Sequence, residues 1–348
     1  MRRHRLGCIF AAAAWAGTTL SPLPAGADEG GVSFWLPGLY GSLSAAPQTP
    51  GWSFASIYYH TTLSGNGQVA ASRQATIGRF NPNIDINFNA SLKARVDMVF
   101  VSANYVFAQQ VLGGQFAIGV AAAGGHNDAS INGTLTASLG PVSVTRSGSI
   151  SDERFGYSDL FPSASLRWNA GVNNFMIYGM GNIPVGTYDT DRLSNFGLGH
   201  AAVDGGIGYT YLNPQTGHEF SFVTGVTYNF DNTHTDYQNG IDWHFDWGAS
   251  QFVTKQLHVG AVGYVYQQLT PDKGQPVILG DFKSRIIGVG PQIGYLFPAG
   301  DLQGYANVKA YWEFASENRP EGWNLWVTLA FSPEAPKTSV QPPLSRKF

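Results

Sequence analysis

The chain has 348 residues, of which 20 are basic and 23 acidic, and charged residues make up only 12% of it. This balance provides no basic surface, so we expect no nucleic-acid partner. The only cysteine, Cys8, lies in an N-terminal apolar stretch, so the rest of the chain has neither disulfides nor thiolate metal ligands.

Residues 1–27 have the pattern of a cleaved export signal. Three arginines stand among the first five residues, residues 6–20 are mostly apolar, and Ala-Gly-Ala at 25–27 suits signal peptidase. The apolar stretch is shorter than the roughly 20 residues of a membrane-spanning helix, which argues against an anchor. We expect cleavage before Asp28, which leaves 17 basic and 23 acidic residues, a net charge of −6.

Residues 28–50 are rich in glycine and proline and are not predicted as a central strand, because proline lacks the N–H that a sheet requires. The segment either folds into the lumen of a barrel as a plug or merely leads into the first strand. In the first case Phe34, Trp35 and Tyr40 are the plug candidates. The sequence leaves both alternatives open.

From residue 51 to residue 331, apolar and polar residues alternate with a period of two, which predicts strands with two different faces. In the last strand Trp323 and Val327 share one face, and Asn324 and Trp326 share the other. The apolar faces carry aromatic residues near the strand ends, as the girdles of a membrane barrel do. We predict twelve strands, near residues 51–63, 90–108, 114–133, 156–169, 174–187, 199–212, 218–230, 240–253, 256–269, 282–297, 302–315 and 321–331.

Short and long connections alternate between these strands, as periplasmic turns and external loops do in outer-membrane barrels. The short connections are 109–113, 170–173, 213–217, 254–255 and 298–301, and the long ones are 64–89, 134–155, 188–198, 231–239, 270–281 and 316–320. The predicted fold is therefore all-β, a closed antiparallel transmembrane β-barrel at residues 51–331 with about 12 strands (10–14).

This fold places the protein in the cell outer membrane, with the lipid bilayer and lipopolysaccharide as its surroundings. Residues 332–348 contain four prolines and are predicted to form a disordered periplasmic tail. The outer-membrane assembly machinery is a further expected partner. Phe331 is the aromatic residue at which the last strand would be recognised, although the tail follows it.

Charged residues on the polar faces are expected to point into the lumen, because a lysine or arginine facing lipid at mid-depth costs about 2–4 kcal/mol. They would either form salt bridges that fix the barrel shape or line a constriction. Acidic residues outnumber basic ones in this set, which favours neutral or cationic solutes. The lumen-lining candidates are Arg95, Asp97, Asp159, Arg167, Asp204, Glu219, Asp242, His244, Asp246, Lys309 and Glu313.

No catalytic motif is evident, and we expect no enzyme. His244 and Ser250 lie on one strand face about 20 Å apart, too far for a hydrogen bond. An outer-membrane enzyme would need a histidine–serine pair at hydrogen-bond distance near the rim. His126, His200 or His258 paired with a serine on another strand stays open as such a pair.

The segment from Asp242 to Asp246 contains the nearest approach to a metal cluster. Asp242, His244 and Asp246 spread over about 13 Å of one strand and therefore do not converge on one ion. We expect no metal and no cofactor.

Several short phrases occur in a characteristic order over about 290 residues. Their order resembles the phenol-degradation meta-pathway protein family, a group of predicted outer-membrane transporters found near aromatic-degradation genes. The resemblance implies a channel for passive uptake of small hydrophobic or aromatic compounds, and the alternative is a structural or surface-interaction barrel. The phrases are Leu36-Pro37-Gly38-Leu39-Tyr40-Gly41, Thr49-Pro50-Gly51-Trp52, Gly156-Tyr157-Ser158-Asp159-Leu160, Ile183-Pro184-Val185-Gly186-Thr187-Tyr188-Asp189, Tyr228-Asn229-Phe230, Tyr237-Gln238-Asn239-Gly240, Val262-Gly263-Tyr264-Val265-Tyr266-Gln267-Gln268, Gly288-Val289-Gly290-Pro291-Gln292 and Asn318-Arg319-Pro320-Glu321-Gly322.

Overall fold

The alternating part of the chain forms antiparallel strands. The computed structural model describes residues 33–66, 85–139, 142–190, 192–274 and 283–334. No helix in these ranges is long and apolar enough to cross a membrane. The predicted signal peptide, residues 28–32 and residues 335–348 of the predicted tail lie outside the described residues.

Fifteen strands occur in the described ranges. Thirteen belong to one sheet, and the two short strands β9 and β12 pair separately. The strands are β1 (Gly51–Asn66), β2 (Asp85–Val111), β3 (Gly114–Leu139), β4 (Val142–Tyr157), β5 (Phe161–Ala170), β6 (Asn173–Gly181), β7 (Ala202–Leu212), β8 (His218–Asn229), β9 (Tyr237–Gln238), β10 (Asp242–Phe252), β11 (Leu257–Gln268), β12 (Lys273–Gly274), β13 (Arg285–Ala299), β14 (Leu302–Glu317) and β15 (Glu321–Pro333).

The large sheet closes on itself. Round the ring the order is β1, β2, β3, β5, β6, β7, β8, β10, β11, β13, β14 and β15, and β15 pairs with β1. β4 and β5 follow one another along the same side of β3 and share one position in the ring. The prediction of a closed antiparallel barrel of 12 strands is confirmed, and closure gives the backbone partners inside a bilayer without leaving a free edge.

Residues 134–155, predicted as a long connection, instead form the ends of two paired strands. β3 continues to Leu139 and β4 begins at Val142, with Ser138 opposite Ser143. The side chains of residues 145–149 are exposed on both faces of β4, so this segment lacks the apolar face on which the prediction depended. That prediction was wrong, and the sheet of β2, β3 and β4 extends beyond the rest of the barrel.

Tight turns join the strands at the end of the barrel where β1 begins and β15 ends. Gly113, Gly171, Gly217 and Gly300 stand in four of these turns with φ between 68° and 74°. This left-handed conformation carries no steric cost for glycine. The predicted short connections are therefore present, and in barrels of this kind they face the periplasm.

The two faces of the sheet differ as the alternation predicted. On β15, Trp323, Val327 and Leu329 are exposed, whereas Asn324 and Trp326 are buried. The exposed face of a closed sheet points away from the barrel axis. Apolar side chains thus cover the outside, and most polar side chains line the inside, which is the arrangement of a barrel in lipid.

Exposed aromatic residues form two bands on the outer face, one near each end of the strands. Tryptophan and tyrosine prefer the membrane–water interfaces, so these bands mark the two boundaries of the bilayer. The band near the short turns includes Trp52, Phe54, Phe175, Phe220 and Tyr295, and the opposite band includes Tyr157, Tyr228, Phe230, Trp312, Phe314 and Trp323.

Candidate functional site

Residues 33–50, which we call the inner segment, lie against side chains of the inner face of the barrel. Trp35 and Ala45 have exposed fractions of 1% and 0%. Two tight turns shape the segment, with the amide of Leu39 donating to the carbonyl of Leu36 and that of Ala46 to Leu43. Its prolines prevent it from adding a strand to the sheet, so its backbone groups are available to side chains of the wall.

Two opposite charges of the wall hold the first turn of the inner segment. Asp246 on β10 accepts the amides of Gly38 (3.1 Å) and Tyr40 (3.0 Å). Lys309 on β14 donates to the carbonyls of Gly38 (2.7 Å), Leu39 (3.2 Å) and Tyr40 (3.3 Å). Both side chains are buried, and buried charges of this kind are stable only when they are bonded. The turn supplies those bonds with its own backbone.

The second turn is held by a carboxylate lower on the wall. Glu219 at the start of β8 accepts the amide of Leu43 (2.8 Å) and the hydroxyls of Ser42 and Ser221. Thr210 on β7 accepts the amide of Ala45 at 2.9 Å. The contacts made by Ser42, Leu43 and Ala45 join residues more than 160 positions apart in the chain, and they place the segment against β7 and β8.

A histidine–serine pair lies beneath the second turn. Nδ1 of His258 lies 3.1 Å from Oγ of Ser250, and Nε2 of His258 lies 3.1 Å from the hydroxyl of Tyr305. Ser250 also contacts Ser42 at 2.8 Å and Gln292 at 3.0 Å. The pair is buried under the inner segment near the end of the barrel with the short turns, since His258 is the second residue of β11, and Ser250 bonds to the hydroxyl of Ser42 in the segment.

The end of the inner segment is held by β3 and β5. Nη1 of Arg167 donates to the side-chain oxygen of Gln48 at 3.0 Å, and the amide of Gln48 donates to Gln115 at 3.1 Å. Among the predicted lumen-lining residues, Arg167, Glu219, Asp246 and Lys309 therefore all bond to the inner segment.

The aromatic residues of the inner segment make their contacts farther from the short turns than Glu219 does. The Trp35 ring stacks on His244 of β10, with centroids 3.5 Å apart and planes at 12°. Tyr40 stacks on Trp35 at 5.8 Å, and Phe34 packs against Phe161 of β5 at 5.8 Å. Phe34, Trp35 and Tyr40 thus all make aromatic contacts inside the barrel.

Three predicted lumen-lining carboxylates bond to side chains on other strands of the wall. Asp204 accepts the hydroxyl of Tyr178 at 2.8 Å, Asp242 accepts the amide of the Asn229 side chain at 2.9 Å, and Glu313 accepts the hydroxyl of Tyr264 at 2.6 Å. The first two bonds join neighbouring strands, the third joins β11 to β14 across β13, and together they stabilise the shape of the wall.

Asp159 lies between β4 and β5 and holds the connection that follows β6. Its carboxylate accepts the amides of Gly186 (2.9 Å) and Leu198 (3.1 Å) and the side chain of Asn182 (2.7 Å). Leu198 packs in one cluster with Phe34. The connection after β6 is therefore attached both to the wall and to the inner segment.

Arg95 and Asp97 lie on the outer face of β2 instead of in the lumen. They form an ion pair with each other at 2.9 Å, and the Arg95 side chain is 62% exposed. Asp97 also accepts from outward-facing Tyr58 at 2.6 Å and contacts His60 at 2.7 Å. Met98 and Phe100 face inward. Because successive residues of a strand face opposite sides, the odd-numbered residues Arg95 and Asp97 face outward.

An apolar patch lies on the inner face of β1, β2 and β15, and we call its residues, Ile57, Val96, Met98, Phe100 and Trp326, the apolar wall. Met98 and Trp326 are buried, whereas Ile57, Val96 and Phe100 are half-buried although they face away from lipid. Their exposed area therefore borders space inside the barrel.

The charged residues of the sequence do not predict the apolar wall. A signal was present, because residues 96–101 are apolar at five of six positions and so lack alternation. A strand that is apolar on both faces has one face for lipid and a second for an apolar lumen.

Comparisons with solved structures support the fold. A crystal structure of an outer membrane channel from Pseudomonas putida F1 has a TM-score of 0.60 and 12% identity, covering 83% of this chain and 97% of that chain. A Pseudomonas aeruginosa FadL homologue has a TM-score of 0.36 and 8% identity, covering 80% of this chain and 88% of its own. The transport unit of the autotransporter AIDA-I from Escherichia coli has a TM-score of 0.39 and 9% identity, covering 88% of this chain and 95% of that chain.

At such low identities the first of these shows the fold alone, and the other two are too distant to carry an argument. The search of curated proteins found no match. A family profile described as "Putative MetA-pathway of phenol degradation" matches residues 74–329, which is most of the chain. The barrel, its apolar outer face and this match place the protein in the outer membrane, and the chain belongs to the phenol-degradation MetA-pathway family.

Proposed function

We propose that this protein is a passive outer-membrane channel for small hydrophobic or aromatic compounds. The apolar wall carries this proposal, because half-buried apolar side chains face inward where a water-filled pore would have polar ones. A solute that crosses between this wall and the inner segment would replace water at an apolar surface, which favours hydrophobic compounds over sugars and ions.

We further propose that the inner segment is a plug that narrows the lumen. Its backbone is bonded to Asp246 on β10, Lys309 on β14 and Glu219 on β8, which leaves the exposed parts of Ile57, Val96 and Phe100 on β1 and β2 as the path. A barrel of 12 strands lies between the filled lumen of eight strands and the open channel of 16, so a segment of this length greatly reduces its cross-section.

The aromatic class of solute is supported by the family description and by the residues that line the path. The family is named for phenol degradation, and the similar structure from Pseudomonas putida F1 is named as a channel. Phe100 stacks with Trp326 at 6.3 Å on the apolar wall. Aromatic side chains of this kind offer faces and edges to a planar ring.

Uptake by a deletion strain tests the proposed function. The strain is given a panel of radiolabelled compounds, phenol and toluene among them, with a disaccharide as the control, and is then complemented with the wild-type gene. We expect slower uptake of the aromatic compounds alone and recovery on complementation. Equal uptake of every compound by the deletion and wild-type strains contradicts the proposal.

The acidic excess among the inward residues supports a preference for neutral or cationic solutes, as the sequence predicted. A planar-bilayer recording with a salt gradient measures this charge preference. A reversal potential that shows anion preference contradicts it.

A role in surface interaction is the second candidate, and the extended sheet of β2, β3 and β4 favours it. The side chains of residues 145–149 are exposed beyond the membrane boundary marked by Tyr157. Shortening this extension discriminates the two candidates. A channel retains its solute flux, whereas a surface-interaction barrel loses its binding to cells.

Export and assembly are also inferred from the sequence. We infer cleavage of residues 1–27 and recognition of the last strand at Phe331 by the assembly machinery, with lipopolysaccharide round the outer end of the barrel and residues 332–348 as a periplasmic tail. N-terminal sequencing of the purified protein tests the cleavage, and a start other than Asp28 contradicts it.

A further inference from the structure

Three buried polar atoms near the outer end of the apolar wall have no hydrogen-bond partner among the described residues. They are Oδ1 of Asn127 on β3, Nη1 of Arg154 on β4 and Oγ of Ser194 in the connection after β6. Asn127 as a whole is only 4% exposed. Buried polar atoms almost always have a partner, so exceptions of this kind point to a bound water or ligand.

Two of these atoms belong to neighbouring positions on the inner face. Asn127 lies opposite Arg154 in the register between β3 and β4, and opposite Val96 of the apolar wall in the register between β2 and β3. Directly opposite residues point to the same face of a sheet, with Cβ atoms about 5 Å apart. Oδ1 of Asn127 and Nη1 of Arg154 nevertheless do not bond each other. An acceptor and a donor therefore remain unsatisfied side by side, next to the apolar wall.

The connection after β6 passes over Arg154. The amide of Leu193 donates to Asp152 at 3.2 Å, and Phe196 packs against Gly156, where an added Cβ would lie 2.5 Å from the ring. Arg154 stands midway between Asp152 and Gly156 on β4, and alternation turns all three positions inward. The chain from residue 193 to residue 196, which carries the unpaired serine hydroxyl, thus covers the guanidinium.

Arg154 carries a positive charge that no carboxylate of the described residues neutralises. The acidic residues beside it on β4 bond elsewhere, because Asp152 pairs with Arg192 at 2.5 Å and Glu153 faces outward to His126 at 2.9 Å. A guanidinium is always ionised in a protein, and a buried charge is costly without a partner. An anion is therefore the ligand that suits this position.

The surroundings fit a carboxylate that is attached to an apolar body. One guanidinium N–H and one serine hydroxyl can donate to the two carboxylate oxygens, and the Asn127 amide offers a donor or an acceptor according to its rotation. Val96 lies on one side, and Leu193 packs with Leu92 and Ile131 on the other. An inorganic ion such as phosphate would leave this apolar surface uncovered.

We propose that Arg154, Asn127 and Ser194 form a binding site for small amphipathic carboxylates at the outer mouth of the lumen. The carboxylate bonds to the guanidinium, and the apolar part of the ligand lies against Val96. Tyr157 of the outer aromatic band follows on the same strand, which places the site at the outer end of the barrel. The site goes beyond the proposed function, because binding here does not require that the ligand cross the barrel.

Ligand-observed ¹⁹F NMR on the purified protein in an uncharged detergent tests the site. The probes are 4-fluorobenzoate and 4-fluorobenzamide, which have nearly the same shape but differ in charge. We expect saturable binding of 4-fluorobenzoate with a preference of about tenfold, the lower end of what a hydrogen bond to a charged group contributes. Equal affinity for the two probes would show that water alone meets these atoms and would overturn the proposal. Displacement of 4-fluorobenzoate by inorganic phosphate at equal concentration would overturn the assignment to carboxylates.

A matched pair of arginine variants tests the role of the charge. Arg154→Gln should lower the affinity for 4-fluorobenzoate to that for 4-fluorobenzamide. Arg146→Gln is the control, since Arg146 is exposed on the same strand, and it should keep the preference. A preference that survives in Arg154→Gln overturns the proposal.

Stability separates a binding role of Arg154 from a structural one. Because its guanidinium has no partner in the barrel, Arg154→Gln should unfold at the same denaturant concentration as the wild type, and a clear loss of stability contradicts the unpaired charge. Ser194→Ala should weaken 4-fluorobenzoate binding by about threefold, the size of one neutral hydrogen bond, and leave 4-fluorobenzamide unaffected. Unchanged 4-fluorobenzoate binding in Ser194→Ala removes the serine from the site.

Binding and flux are measured separately. Selective carboxylate binding without flux of hydrophobic compounds contradicts the channel but not this site, and flux without carboxylate preference contradicts this site but not the channel.

Discussion

Two sides of the lumen carry different inward side chains although both belong to one closed sheet. On β8, β10 and β14 the inward residues include Glu219, Asp246 and Lys309, and all three bond to the backbone of the inner segment. On β1 and β2 the inward residues at a similar depth are apolar, such as Ile57 and Phe100. The difference teaches that the charges of this lumen are buried together with hydrogen-bonding partners, which come from the inner segment for these three residues and from the wall itself for Asp204, Asp242 and Glu313.

Truncation of residues 28–50 removes the compensating partner and should have the largest effect. The channel conductance should rise severalfold in planar bilayers, because the lumen of 12 strands is no longer narrowed. The barrel should also unfold at lower denaturant concentration, since Asp246, Lys309 and Glu219 lose their partners. A matched truncation of residues 335–348 is the control. An unchanged conductance after the N-terminal truncation contradicts the plug.

Lys309→Met removes one charge from the bonded side and should cost about 1.5–3 kcal/mol of unfolding free energy, because the carbonyls of Gly38, Leu39 and Tyr40 lose a charged donor. Lys255→Met in an exposed turn is the control and should cost almost nothing. Denaturant titration in detergent micelles measures both. Equal stability of the two variants would show that the Lys309 contacts with residues 38–40 are not needed.

Phe100→Glu introduces charge on the apolar side and should slow hydrophobic flux severalfold, since a solute must pass an uncompensated carboxylate. Phe100→Leu keeps the surface apolar and should retain most of the flux. Proteoliposome uptake of toluene measures the change, with an intact barrel verified by its heat-dependent gel mobility. Flux equal to that of the wild type in Phe100→Glu contradicts a path along this wall.

Arg95→Ala should have the smallest effect, below about 1 kcal/mol in stability, because the Arg95–Asp97 pair lies on the exposed outer face. Ion selectivity in planar bilayers should not change. A shift in selectivity would contradict the outer position of Arg95 and support the sequence prediction that it lines the lumen.

Much of the barrel was predictable, because alternation is a local property. On β15 the apolar Trp323 and the polar Asn324 are consecutive, so they identify the outer and the inner face. On β14 the charged Lys309 and Glu313 are both odd-numbered, so they identify the odd-numbered residues as inward. On β2 five of the six residues 96–101 are apolar, so alternation does not show which of the two faces is the inner one, and the charges of Arg95 and Asp97 near the membrane boundary face outward.

The partners of the inward charges were not predictable from the alternation along a single strand. Asp246 bonds to Gly38, 208 positions away, and nothing in the strand that carries Asp246 specifies that contact. The pairing of His258 with Ser250 likewise depends on the register between β10 and β11, in which Phe252 lies opposite His258. Such contacts are set by tertiary packing.

Chemical labelling of single cysteines tests the path along the apolar wall most directly, since the only native cysteine lies in the predicted signal peptide. Ile57→Cys faces the proposed path, and Val223→Cys is its fully buried inward control. We expect a small apolar maleimide to label Ile57→Cys quickly in the folded protein, to leave Val223→Cys unlabelled, and to slow toluene flux through the labelled channel. An unlabelled Ile57→Cys, or flux that labelling does not change, would contradict the account.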